Sequence, residues 1–233
     1  MRRFNRNGYN RPVGLFLEFL IILAGITVSF LLNEWRTEKK NKEHKLDLVA
    51  EIAKDLKIDS LKLEFSIKTY HLLIRGMDSL TEFESNKSQT DSLTLFLDFF
   101  VTYSTFKPQP TSYTKLLSDN ELKLNVEDSL IDQFILLHNT TYDLLEEWNQ
   151  IERMFVLEQA LPYLNLNAPY YPTSGMATFD GKVFLDLRKE NAFMNLLNTG
   201  KSFKRAVNYF NNKALVEVKA LQAKINNKLN KQL

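Results

Sequence analysis

The most regular feature of the chain is an uninterrupted apolar run. From Val13 to Leu32 it reads VGLFLEFLIILAGITVSFLL, twenty residues with a single charge, Glu18. A helix of that length rises about 30 Å, the thickness of a bilayer's hydrocarbon core. A core helix of a soluble domain keeps one polar face, and this run has none. A cleavable signal peptide needs small residues before its cut, whereas this run closes on Phe30, Leu31, Leu32 and Asn33. The pattern predicts a basic tail at 1–12, an uncleaved transmembrane helix at 13–33 and a separate domain at 34–233. Trp35 is the expected interface anchor, since an indole buries its ring while its N–H stays wet.

Past the span, the period of the apolar positions becomes helical. Glu34 to Lys45 holds no Pro or Gly and predicts a stalk continuing the membrane helix. Val49, Leu56, Leu63, Tyr70 and Met77 then recur seven apart, with Leu46, Ala53, Ser60, Ile67 and Ile74 between them. Such a seam serves a parallel oligomeric coiled coil or an antiparallel bundle. Ile52, Leu61, Phe65 and Leu73 widen the stripe, which favours packing within the chain. The polar stretch 84–91 ends this helix, and a greasy helix follows from Leu93 to Val101. Lys107-Pro108-Gln109-Pro110 breaks that, after which Thr111 or Ser112 caps a short helix through Leu117.

A long helix is predicted from about Glu127 to Leu161, with Leu130, Phe134, Leu137, Leu144, Trp148, Ile151 and Phe155 on its buried face. Pro162, Pro169 and Pro172 bracket an irregular loop near 162–184, where Asp180-Gly181 suits a small hairpin turn. A final helix of about forty residues starts near Lys189, with Phe193, Leu197, Phe203, Val207, Phe210, Ala214, Val218, Leu221 and Ile225 at helical spacing. The expected fold is all-α: an N-terminal transmembrane helix continuing into an antiparallel helical bundle.

Composition agrees with helices and removes several chemistries. The chain has 233 residues with only 7 Gly and 6 Pro, too few for a turn-rich sheet fold. It has no Cys, so disulfides, thiolate metal sites and thiol nucleophiles are absent. The 30 Lys and Arg balance 28 Asp and Glu, a net +2 that gives no field suited to nucleic acid. No glycine-rich phosphate loop precedes a helix. His138 lies on the buried stripe with no ligand-spaced neighbour, which predicts a satisfied core histidine. Glu146, Glu147 and Glu152 fall beside that stripe, where charges ordinarily form a solvated face. No catalytic residue, metal ligand or cofactor site is predicted, and the chain is not expected to be an enzyme.

Two features invite a functional reading. Glu18, Gly25 and Ser29 return to one helical stripe, and small residues there let a second helix approach. Membrane lipid and other membrane helices, or a second copy of the chain, are therefore the expected partners. Tyr163, Tyr170, Tyr171 and Phe179 cluster in the 162–184 loop, as a recognition surface or as a cap on the bundle's open end. The four arginines at positions 2, 3, 6 and 11 resist translocation, placing the N-terminus in the cytoplasm and the domain outside it.

LFLEFLIILAGITVSFLLNEWRTEKKN resembles the N-terminal signature of an uncharacterised family of single-span membrane proteins from Bacteroidota bacteria. That signature has an early acidic residue, a mid-span Gly and an Asn-x-Trp ending, here Glu18, Gly25 and Asn33-Glu34-Trp35. The segment 110–134 is similar to a second stretch of the family, with Asp119-Asn120 where the family often has Gly. The resemblance implies a bacterial inner-membrane location, which with the orientation expected from the arginines makes the domain periplasmic, and no known substrate or cofactor. Together these features lead to a membrane-anchored structural or interaction subunit. An extracytoplasmic sensor signalling through a partner, or an accessory of an ion-driven machine using Glu18, are the alternatives.

Overall fold

A computed structural model describes residues 11–82, 97–118, 129–167, 171–173, 176–178 and 181–231. The first helix, α1 (Arg11–Glu82), runs unbroken for 72 residues. Its lone proline, Pro12, sits in the first turn, where a missing N–H costs no helical hydrogen bond. The chain divides into two compact units, Met1–Leu48 and Val49–Leu233. The first holds one helix long and apolar enough to cross a membrane, and residues 14–32 of it bury nothing against the rest of the chain.

In the second unit, α1 buries Val49, Leu56, Leu63, Tyr70 and Met77 almost completely, as the seven-residue spacing requires. Its companion line differs from the expected one. Ile52, Asp59, Ser66, Leu73 and Leu80 are buried, while Ala53, Ile67 and Ile74 are only half-buried. Leu61 and Phe65, expected in the widened stripe, face outward. The true line escapes a hydrophobicity count because two of its five members are polar.

A helical stretch at 97–101 follows, packed where glycines leave room. A Cβ on Gly76 of α1 would lie 1.9 Å from Cδ2 and 2.8 Å from Cγ of Phe99. On Gly200, a Cβ would lie 2.9 Å from ring atoms of Phe100 and Phe155. Gly76→Ala is expected to lower stability by about 1–2 kcal/mol: overpacking costs roughly 1–3 kcal/mol and the helix-propensity gain returns at most about 1. Urea unfolding in detergent checks this, and an unchanged or higher midpoint would refute it.

An extended strap at 102–110 leads into α2 (Thr111–Ser118). The expected cap from Thr111 or Ser112 is not what serves the α2 N-terminus. Instead Asp55, from α1, accepts a 2.7 Å hydrogen bond from the Ser112 backbone N–H. A long-range carboxylate does the work of a local hydroxyl, with the helix dipole in its favour.

Helix α3 is built of Ser129–Leu136, Leu137–Tyr142, Asp143–Phe155, Val156–Ala160 and Leu161–Asn167, the second and fourth pieces being π-helical. A π turn carries one extra residue and rotates everything after it. The buried face accordingly moves from the expected Leu144, Trp148 and Ile151 to Leu145, Asn149 and Glu152. Glu152 is thus no part of a solvated face. Pro162, expected to end the helix, lies inside it. The π piece just before it has already opened the ladder, with Leu161 N–H donating to Val156 O, so the ring meets a loosened turn.

Among the described residues, the stretch expected as an irregular loop contains regular elements. After α3 come β1 (Tyr171–Thr173) and β2 (Met176–Thr178), antiparallel, with Thr173 opposite Met176. The hairpin does not close at Gly181 as expected, since Gly181 opens α4 (Gly181–Leu187). Helix α5 (Asn191–Asn230) completes the unit. Its buried line follows the expected spacing, but Gly200, Lys204 and Asn211 occupy it where Phe203 and Phe210 were expected, and those rings are half-buried. Apart from the two short strands, the described residues form a helical bundle. Its apolar end is an aromatic cluster in which Phe100 meets Phe155 and Phe193 edge-on at 6.3 Å, and Phe184 meets Phe193 at 5.7 Å.

Candidate functional site

Three sets of residues could carry function: the span's surface, the polar groups buried among the helices, and the grooves beside them. On the span, nothing in the chain lies within 4 Å of a Cβ placed on Gly25. Thr27 turns its hydroxyl back to Leu23 O at 2.9 Å, the local satisfaction that a lipid surround demands. Glu18 and Ser29 make no such bond among the described residues. Trp35 is exposed, with the Lys39 ammonium 6.0 Å from its ring centroid, a distance at which cation and ring attract.

The centre of the bundle holds a sealed polar network. Lys204 and Glu152 are each 1% exposed and pair at 2.8 Å. Lys204 Nζ also donates to the Thr102 carbonyl. Tyr70 shares its one hydroxyl proton between Glu152 Oε2 at 2.5 Å and Ser104 O at 2.7 Å. Burial lowers the Lys204 pKa, against the pull of Glu152, and raises that of Tyr70. The network ties α1, α3, α5 and the strap together. Its closure to solvent suits it to holding register rather than to chemistry on a substrate.

A second polar layer lies nearer α2. Asp59 accepts from the Gln109 N–H at 2.7 Å and from the Tyr142 hydroxyl at 3.0 Å. Burial pushes its carboxyl up to about 6 in spite of these bonds. His138 is stacked on Tyr113, centroids 4.1 Å apart, and meets Phe134 and Tyr142 edge-on. Burial depresses its pKa to about 4. The expected core histidine is present, though its Nε2 finds no protein partner. Asp55, Asp59, Glu152 and Lys204 were all missed as interior residues. Their one sequence signal is that each falls on a helical line otherwise occupied by apolar residues.

At the first π piece, α3 and α5 flank a groove of about 370 Å³. Its polar groups are largely engaged across it: Thr141 donates to Glu217 at 2.5 Å and Lys224 to Gln133 at 2.6 Å. Of the aromatic set near the chain's second half, Tyr163 stacks on Phe193 and donates to Glu190 at 2.6 Å. Burial and that carboxylate push its pKa up to about 12. Tyr171 lies in β1, and Tyr170 and Phe179 fall outside the described residues. Among the described residues, no three His, Asp or Glu side chains gather as a metal site. Comparison with protein-family models, curated proteins and solved structures finds no match to the chain.

Proposed function

We propose that this protein is a membrane-anchored, non-enzymatic interaction subunit of a bacterial inner membrane, belonging to the Bacteroidota single-span family that its span resembles. The observation carrying this reading is a span that meets nothing in its own chain and yet carries Glu18, Gly25 and Ser29 on one stripe. A carboxylate facing lipid is costly, and small residues gain packing only when a second helix fills the space they leave. In the second unit, Leu61, Phe65 and Leu72 of α1 are 60%, 70% and 57% exposed at offsets of four and seven. A monomer has little reason to align large apolar groups on a solvated helix face. The basic tail stays in the cytoplasm and the bundle is periplasmic, because a short tail carrying several arginines crosses a membrane at greater cost than a domain does.

The test is purification of the full chain from native membranes in mild detergent, followed by identification of co-purifying proteins and measurement of particle size. Wild type is expected in a complex larger than its protomer. Glu18→Gln with Gly25→Leu is expected to dissociate it while leaving the bundle's unfolding midpoint unchanged. A protomer-sized wild type, or a doubly substituted chain that keeps its partners, would overturn the reading.

A further inference from the structure

A second line of seven-residue spacing runs along α1, on the side turned away from the bundle. Ile58, Phe65 and Leu72 are seven apart, with Leu61 between the first two, and all four are exposed. Leu56, Leu63 and Tyr70, each two residues earlier and so about 200° round the helix, are buried. Single exposed leucines are ordinary on a protein surface, but four large apolar groups in one row are not. Written as a heptad, Ile58, Phe65 and Leu72 take the a positions, and Leu61, Lys68 and Arg75 take the d positions. The seam is apolar in its first half and alternates apolar with basic in its second.

Charge singles out what covers this row. Every exposed ionisable residue of α1 from Lys54 to Arg75 is a base: Lys54, Lys57, Lys68, His71 and Arg75. None of the four Lys and Arg makes an ion pair among the described residues. The acids of the same stretch are withdrawn, Asp55 and Asp59 by burial and Glu64 by pairing with Lys219 of α5 at 2.7 Å. Glu64 also marks one border of the row, and Lys62 marks the other, its Nζ donating to the Lys107 carbonyl of the strap at 3.1 Å. The open strip between them is one helix face wide. That is narrow for the broad apolar face by which an interfacial helix sinks among lipid headgroups. A second copy of the chain would bring the same cations against it, at a cost in like-charge contact.

We infer that this strip docks an acidic amphipathic helix of a partner protein, packed along α1 as in a coiled coil. Seven-residue spacing is what a supercoiled helix pair requires, since it keeps one row facing the partner along its length. The partner's apolar row packs on Ile58, Leu61, Phe65 and Leu72. Its Asp and Glu side chains meet Lys68 and Arg75 within the seam, and Lys54 and Lys57 at one end. Phe65, the most exposed of the row, is the anchor. The inference rests on the interaction role proposed above but uses a surface other than the span, so the two fail separately.

The probe is a labelled peptide of four heptads with Leu at a and d and Glu at e and g. It is titrated against the full chain in phosphatidylcholine nanodiscs and followed by fluorescence anisotropy. Saturable binding is expected, absent with empty nanodiscs. The same peptide with Lys at e and g should bind at least about tenfold more weakly, a difference of about 1.4 kcal/mol. Phe65→Ala is expected to weaken binding at least about tenfold while leaving the unfolding midpoint unchanged, since its ring is largely exposed. Lys68→Glu with Arg75→Glu is expected to reverse the preference between the two peptides. No saturable binding of the Glu peptide, equal binding of the Lys peptide, or binding undiminished by Phe65→Ala would overturn the inference. Capture of the loaded nanodiscs by phosphatidylglycerol vesicles, abolished by Phe65→Ala and without peptide binding, would overturn it in favour of a lipid surface. A native complex that persists although the peptide does not bind refutes this inference alone. Peptide binding by a chain that is protomer-sized in native membranes refutes the span contact alone.

Discussion

Lys204→Met is expected to destabilise the bundle by about 3–5 kcal/mol, because it strands the Glu152 carboxylate in the interior without its cation. The two groups lie 2.8 Å apart at 1% exposure, so water cannot take the place of the lost ammonium. Tyr70 offers Glu152 one hydroxyl proton, which it already shares with the Ser104 carbonyl. Chemical unfolding in detergent should show the loss as a lower midpoint at constant slope. Replacing both partners, Glu152→Leu with Lys204→Met, should restore most of it. Tyr70 then keeps Ser104 as its acceptor, and Thr102, whose carbonyl loses the ammonium, is itself an exposed residue. A double substitution as unstable as the single one would mean that the ion pair itself, and not the stranded charge, supplies the stability.

The second large effect concerns pH. Asp59 titrates near 6 in the fold against 3.8 as a free side chain, so the folded state binds more protons than the unfolded state between those values. Its contribution to stability falls as pH rises from about 4 to 6. His138 titrates near 4 in the fold against 6.5 when free, so there the unfolded state binds more protons. Its contribution rises with pH over nearly the same window and is lost as pH falls through 4. The two slopes oppose each other, and the wild type is expected to be nearly flat between pH 4 and 6.

Asp59→Asn removes one of them. An asparagine still accepts from Gln109 N–H through its oxygen and can donate to the Tyr142 hydroxyl. Its stability should climb by about 3 kcal/mol between pH 4 and 6.5, from roughly 1.4 kcal/mol per unit of pKa shift. His138→Phe keeps the stack on Tyr113 and should show the reverse, a decline of similar size from pH 4 to 6. Thermal unfolding across that range checks both, and two variants as flat as wild type would refute the compensation.

These polar residues also mark where the sequence was legible and where it was not. The line Val49, Leu56, Leu63, Tyr70 and Met77 could be read because all its members are apolar. Its companion could not, because Asp59 and Ser66 occupy two of its positions. On α3, a period of 3.6 carried from Phe134 onward points to Trp148 and Ile151. The π turn at Leu137–Tyr142 shifts the true face to Asn149 and Glu152. No fixed-period reading accommodates a residue inserted in mid-helix. On α5, the spacing was right, and what it could not reveal was that Lys204 and Asn211 sit inside.

By itself the sequence determined the candidate membrane span, the helical class, the break at 107–110, and the leading apolar lines of α1 and α5, while the break expected at 84–91 lies outside the described residues. Those follow from hydrophobic burial, which sums over residues and leaves its period on the chain. The tertiary structure alone decided which polar groups go inside, because a buried charge or amide is tolerable only beside a partner that the fold brings to it. Asp55 meets Ser112 from 57 residues away, and Glu152 meets Lys204 from 52. No local pattern encodes pairs at such separations.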